Sequence, residues 1–340
     1  DLGASFTDVP GGTAHWTFSN PNYEDESGDV SIMINKADAN ITVNGYTGIY
    51  DAQAHGASGS ATGVGGVALT GLDLGASFTD VPGGTAHWTF SNPNYEDESG
   101  DVSIVINKAD ANITVNGYTG IYDAQAHGAS GSAIGVGGVV LTGLDLGASF
   151  TDVPGGTAHW TFSNPNYEDE SGDVSIVINK ADANITVNGY TGVYDAQAHG
   201  ASGSATGVGG VVLTGLDLGA SFTDVPGGTA HWTFSNPNYE DESGDVAIVI
   251  NKADANVTVN GYTGVYDAQA HGASGSATGV GGVALTGLDL GASFTDVPGG
   301  TAHWTFSNPN YEDESGDVSI VINKADANIT VNGYTGVYDA

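Results

Sequence analysis

The chain has 340 residues, no Cys, five Lys, no Arg and a formal net charge of −35. Disulfide and thiol chemistry are therefore excluded, and a field of that sign repels nucleic acid and anionic lipid while attracting cations. No run of about 18 apolar residues occurs, so no helix is expected to span a membrane, and five Trp, fifteen Tyr and ten Phe argue against disorder.

An internal period governs everything else. The stretch Ala39–Asp110 returns almost letter for letter at Ala111, Ala183 and Ala255, and begins again at Ala327, 72 residues apart each time. The expected organisation is a partial repeat over 1–38, complete repeats over 39–110, 111–182, 183–254 and 255–326, and a partial repeat over 327–340. Each complete copy carries eight acids and one Lys. A unit of this size is near the lower limit for burying a sufficient core alone, so neighbour contacts can help but are not required. Both ends fall inside the repeat, and the expectation is a window from a longer or processed chain.

Asn40–Asn44 alternates Ile41 and Val43 with polar residues, a strand pattern followed by the turn signal Asn44-Gly45. Tyr46–Tyr50 reads as the continuation of that edge, broken by Asp51-Ala52-Gln53. His55–Val64 predicts a weak strand, with Gly65-Gly66 as the next turn. Val67, Leu69, Leu72 and Leu74 are expected apolar contacts, followed by Phe78 and Val81. Pro82-Gly83-Gly84 predicts a hairpin turn. Thr85–Phe90 is the clearest strand, with Ala86, Trp88 and Phe90 on the core face and Thr85, His87 and Thr89 opposite. A turn follows at Ser91–Asn94, with Tyr95 tucked onto the core. Val102, Ile104 and Ile106 form the inner face of the last strand. Asn107–Ala111 then enters the next unit with no flexible linker. Short strands at this spacing predict an all-β sandwich, with a β-grasp-like or other small β-domain as the alternative. The copies differ at only six positions, 31, 33, 41, 49, 62 and 68 in first-copy numbering. Changes such as Met33 to Val105 and Ile49 to Val193 keep the residue apolar, as a packed site tolerates.

The words GYTGIYDAQAHGASGSATGV and PGGTAHWTFSNPNYEDESGDVSIVINKA resemble the MBG-type (YDG/YGX-like) repeats of large bacterial surface proteins and adhesins. The matching words are the Tyr-Asp after the first strand, the Gly-Thr before the aromatic strand, the Asn-Tyr, the Ser-Gly and the closing Ile-Asn-Lys-Ala; Gln53 departs from the Gly that often follows Tyr-Asp. The resemblance covers essentially the whole chain. It implies an extracellular, Ig-like β-fold and a stalk role, with no catalytic residues.

Glu96-Asp97-Glu98-Ser99-Gly100-Asp101 places four carboxylates in six residues beside a turn. Such a set suits a hard cation that takes six to eight oxygens. Glu96, Asp97, Glu98 and Asp101, with Asp110 and Asp123 near the unit boundary and their equivalents in other repeats, are candidate calcium ligands; the bland alternative is a solvated acidic turn. His55 and His87 are too separated for a zinc site. Lys108 is a candidate for a Lys–Asn cross-link with Asn94 or Asn107, or a plain edge lysine. Asn40-Ile41-Thr42 is a glycosylation sequon present in every copy. No nucleophile elbow surrounds Ser77, Ser91 or Ser99, and no enzyme activity is expected. The expected role is a structural repeat in an extracellular cell-surface stalk or fibre. Its partners are neighbouring repeats and identical chains joined head to tail by strand addition. A multivalent module for surface glycans or calcium is the alternative.

Overall fold

The computed structural model describes residues 1–338; Asp339 and Ala340, the last two of the C-terminal partial repeat, lie outside the described residues. Eight strands cover the N-terminal partial repeat and the first complete one. These are β1 (Gly11–Asn20), β2 (Tyr23–Met33), β3 (Asn40–Asn44), β4 (Tyr46–Ile49), β5 (Ser58–Thr62), β6 (Leu72–Asp73), β7 (Gly83–Asn92) and β8 (Tyr95–Asn107). The set β3–β8 recurs in the three later copies. Between β5 and β6 lies a single 3-10 turn, Val64–Gly66. The chain is thus an all-β tandem of units with a 72-residue period.

Each complete unit is a sandwich of a four-stranded sheet, ordered β4-β8-β7-β6, and a two-stranded sheet, β3-β5. The β7–β8 hairpin dominates it. Its register sets Ala86 opposite Val102, His87 opposite Asp101 and Phe90 opposite Glu98, with an irregularity between Phe90 and Asn92. The two-residue turn at Pro93-Asn94 joins the arms, and Asn94 N–H donates to the Asn92 side-chain oxygen. The alternation read from TAHWTF is present. Ala86 and Phe90 are buried, Trp88 is half-buried, and Thr85, His87 and Thr89 are exposed. Ile104 and Ile106 of β8 are buried, as their spacing predicts. In the next copy Phe162 and Tyr167 from the large sheet meet Ala133 from the small one, with Ile113, Leu141, Leu144 and Trp160 packed around them. The core lies between the sheets, and its largest fully buried ring is Phe, where the sequence pointed equally to Trp.

Several expectations are corrected. Tyr46–Ile49 does not continue the edge of β3. The chain turns at Gly45 and β4 crosses to the other sheet, pairing parallel with the end of β8 through Tyr46↔Ile104 and Ile49↔Asn107. That pairing spans most of the unit and has no local sequence signal. The acidic run is not a turn but the interior of β8, held extended by its ladder to β7. Gly100 sits there because the Trp88 ring lies across it: a Cβ would approach that ring within 2.9 Å. Val67 is exposed, and so are the variable positions Met33, Ile49 and Val105, so tolerance there reflects surface exposure and not packing. Residues 327–338, expected as a first strand, hold no regular secondary structure. In the complete copies the equivalent segment pairs with the strand equivalent to β5 and with the end of the strand equivalent to β8. The Asp80–Gly83 turn does form, with Gly83 N–H donating to Asp80 O at 2.8 Å and a cis Val81–Pro82 peptide. It is no tight hairpin, since β6 pairs with the far end of β7, Leu72 opposite Phe90.

By contact density the chain divides into two compact units, Asp1–Gly120 with Gln125–Asn179, and Ile121–Ala124 with Lys180–Ala340. Each contains joined repeats.

Candidate functional site: the junction between consecutive repeats

With nearly identical copies, the chemistry that distinguishes this chain lies where one copy meets the next. In the first compact unit, Asn107–Ala111 leaves β8 and is taken up by the following repeat. Ala109 forms a parallel bridge to Tyr167: its N–H donates to Asn166 O at 3.1 Å and its carbonyl accepts from Glu168 N–H at 2.9 Å. Ala109 is buried in the hydrophobic cluster of that next repeat. The linker is therefore a short strand of its neighbour, and little backbone freedom is left at the join.

A side-chain clamp completes the contact. Asn166, half-buried at the hairpin turn of the later repeat, reaches back to the Asp80–Gly83 turn of the earlier one. Its Oδ1 accepts from Val81 N–H at 2.9 Å and its Nδ2 donates to Asp80 Oδ1 at 2.8 Å. A carboxamide presents one acceptor and two donors, and this geometry uses both kinds. Asn94 holds Val9 and Asp8 in the same way, at 2.9 and 2.8 Å. In the second compact unit Asn310 does so with Val225 and Asp224, at 2.9 and 2.8 Å.

Two further contacts recur. Tyr50 meets Tyr167 edge-to-face, with ring centroids 5.4 Å apart at 73°. Tyr194 meets Tyr311 with the same geometry, an arrangement that suits the ring quadrupoles. The Tyr167 hydroxyl in turn accepts from Val136 N–H at 2.9 Å. Lys108 Nζ lies 3.2 Å from Asp169 Oδ1 of the next repeat, and Lys252 lies 3.3 Å from Asp313. Lys108 and the Ser163 hydroxyl hold the Asp169 carboxyl below its ordinary value. The lysine expected at a strand edge, or in a cross-link with Asn94 or Asn107, is instead an ion-pair partner across the junction. Because these carboxylates are largely exposed, each pair is worth little by itself. The linker bridge, the carboxamide clamp and the tyrosine pair carry the join.

The candidate calcium ligands are dispersed by strand geometry. Glu96 and Glu98 alternate with Asp97 and Asp101 along β8. Asp97 accepts from Ser91 and lies 3.4 Å from Lys36 Nζ; Asp101 Oδ1 lies 2.7 Å from His87 Nδ1. Asp110 is exposed beside the linker. Asp123 belongs to the second compact unit; its equivalent Asp51 accepts from Gln53 N–H at 2.8 Å and lies 2.9 Å from His55 Nε2. Among the described residues, no group of three or more His, Cys, Asp or Glu gathers as a metal cage would. His55 stacks on Tyr46, centroids 4.1 Å apart at 7°. The sequon residue Asn40 is exposed at the start of β3.

Sequence reading missed the clamp. Asn94 and Asn166 sit in turns where Asn needs no special explanation, and the Asp-Val-Pro turn that they hold lies 85 residues away.

No protein-family model matches the sequence, and no curated relative matches it either. Among solved structures, the chain is similar to Sidekick-1 immunoglobulin domains 1–5, with 10% identity, 94% of this chain and 87% of that one covered, and a TM-score of 0.26. It is also similar to a Ca²⁺-stabilized adhesin that helps an Antarctic bacterium reach out and bind ice, with 15% identity, 92% and 94% covered, and a TM-score of 0.23. A third is the protocadherin gammaB4 extracellular domain, with 11% identity, 94% and 65% covered, and a TM-score of 0.25. Overlap at this level does not bear on ligand or role. Among the described residues, no helix is long and apolar enough to cross a membrane, which says nothing of membrane β-barrels.

Proposed function

We propose that this chain is a structural, non-enzymatic repeat segment of an extracellular cell-surface adhesin, serving as its stalk or as a fibre shaft. One observation carries the reading: the same four-part junction recurs within each compact unit, with distances that agree to about a tenth of an ångström. A binding module needs only the copies. A load-bearing array also needs the joins to be defined, and here the linker has no slack and is stitched into the next sandwich. In such an array, stability sums over units and their nearest-neighbour interfaces.

Single-molecule pulling on the full chain tests this. The expected record is a series of equal unfolding events, each releasing up to ~250 Å of contour, as 72 extended residues require. Replacing Asn94, Asn166 and Asn310 with Ala removes the clamp at a cost of about 1–3 kcal/mol per junction, because Asp80, Asp8 and Asp224 each lose a donor. The events should then occur at lower force with unchanged spacing. Equal forces for both chains would show that the clamp bears no load and would overturn the reading.

A further inference from the structure

Each complete repeat holds one long stretch without charge. Residues 52–72 and their equivalents contain no Asp, Glu, Lys or Arg, in a chain whose formal charge is −35. The stretch includes β5, the 3-10 turn Val64–Gly66 and the approach to β6. The other sheet edges are guarded: β3 follows Asp38, β4 precedes Asp51, and β6 contains Asp73. Charges so placed discourage contact at a strand edge, and β5 has none. The 3-10 turn projects from the unit. A Cβ on Gly65 or Gly66 would meet nothing within 4 Å, and the same holds at the equivalent glycines of the later copies. Just behind this tip a valine is open to solvent, at 63%, 60%, 62% and 64% for Val67, Val139, Val211 and Val283. Beside the tip, a recess opens between β5 and β6. Leu69, Leu72 and Leu74 line it together with Gly59 and Ala61. Its volume is about 290 Å³ in the first complete copy, and 380 and 450 Å³ in copies 183–254 and 255–326. Asp73 stands between two of those leucines without lining the recess; its carboxylate accepts from Gly75 N–H at 2.9 Å. The β5 wall also presents backbone. Leu69 N–H donates to Ala61 O at 2.9 Å on the edge of β5 that faces away from β3. By strand alternation, Gly59 turns its own N–H and carbonyl to that same edge.

We propose that two copies of this chain associate laterally, the valine tip at 64–67 of one repeat seated in the leucine-lined recess of a repeat in the other copy, and the reverse. The inference goes beyond the stalk reading and does not depend on it. Three features select the occupant. The first is charge. A basic partner is drawn to the carboxylates elsewhere in the repeat, whereas an uncharged apolar face is where two chains of the same negative sign repel least. The second is size. The recess sits at the low end of the range of roughly 300–1,000 Å³ for ligand sites, which suits a short aliphatic segment better than a sugar chain. The third is self-complementarity. Tip and recess lie on the same repeat, so a two-fold pairing fills both at once, as an isologous contact requires. Gly59 then offers a donor and an acceptor to the incoming backbone, and no charged side chain needs to be stripped of water to close the contact. Each contact is small, and recurrence in every complete repeat adds avidity where neighbouring repeats engage together. Salt strengthens the association by screening two strongly acidic chains over roughly 8–10 Å.

Sedimentation velocity of the full chain, over a wide concentration range at low and moderate salt, reads the association. The wild type should form dimers or larger species whose population rises with both. Changing Val67, Val139, Val211 and Val283 to Asp puts a like charge on every tip and should abolish them. The milder change of the same four to Thr keeps the branched shape at an exposed position, so it spares folding if the Asp set does not, and it should weaken association several-fold. The control places Asp at Ile49, Ile121, Val193 and Val265, comparably exposed apolar positions on β4 and its equivalents. It adds the same charge away from the recess and should keep the association at moderate salt. A wild-type chain that stays monomeric throughout would overturn the inference, leaving the recess to a foreign segment, and would not touch the stalk reading, which pulling tests. Equal loss in the control and the tip sets would also overturn it, because charge alone would then govern association. Unchanged association in the Thr set would do the same, since the tips would then lie outside the contact.

Discussion

Ala52 shows how a single residue departs from what its type prefers. It has φ 63°, and Ala124, Ala196 and Ala268 follow at 62°, 62° and 67°. A Cβ disfavours the left-handed region by roughly 1–2 kcal/mol, and glycine relieves that. The position after Tyr-Asp is thus where the backbone asks for glycine. The sequence comparison placed the departure at Gln53, one residue late, because a word match does not report φ. Gln53 instead uses its N–H to bond Asp51, closing the turn over the left-handed Ala. Changing all four Ala to Gly should stabilise each unit by up to about 1 kcal/mol, the αL relief less the extra entropy of an unfolded glycine. Chemical denaturation at constant slope would show it as a rise in midpoint; a fall would mean that Ala52 makes a packing contact worth more than its strain.

At the scale of one element, β8 explains most of what was and was not legible. The alternation of Val102, Ile104 and Ile106 declared its inner face directly. The acidic half, read as lying beside a turn or as a solvated acidic turn, gave no strand signal because Ser-Gly and four carboxylates are poor strand formers, and only the ladder to β7 overrides that preference. Its carboxylates then take separate partners across the strand and across the junction. Asp97, Asp169, Asp241 and Asp313 are all held below the ordinary value of 3.8, Asp169 chiefly by Lys108 and the other three chiefly by the serine opposite, with lysine second. A carboxyl depressed in the folded state stabilises above its unfolded pKa, about 3.9, and that contribution disappears as pH falls through the lower folded value. Thermal midpoints should therefore decline as the pH drops below about 4. Replacing these four Asp with Asn should make the decline shallower. Replacing Glu98, Glu170, Glu242 and Glu314 with Gln removes the same charge without touching those bonds, and should leave the depressed-carboxylate component of the slope. If both sets flatten the curve equally, net charge alone governs acid stability.

Over the whole molecule, the period, the all-β class and the absence of a flexible linker were readable because each is a pattern of residue types along the chain. The pairing partners of the linker were not, since Ala109 and Tyr167 look like any Ala and Tyr until the fold brings them together. The same limit applies to charge. Counting acids suggested a cation site in each repeat, whereas strand alternation and dedicated partners spread those acids over separate places. A formal charge of −35 then acts as a field over the whole chain. Screening relieves the self-repulsion of such a chain whatever the cation, while a defined site adds stability that grows with the logarithm of ligand over dissociation constant. The full chain should thus unfold at higher temperature as sodium chloride is raised. Calcium chloride at matched ionic strength should reproduce that rise, and excess chelator should not reverse it beyond the change in ionic strength. A calcium increment that saturates at low concentration, and that magnesium does not match, would mean that carboxylates from more than one strand converge after all, with the acidic half of β8 as the first place to look.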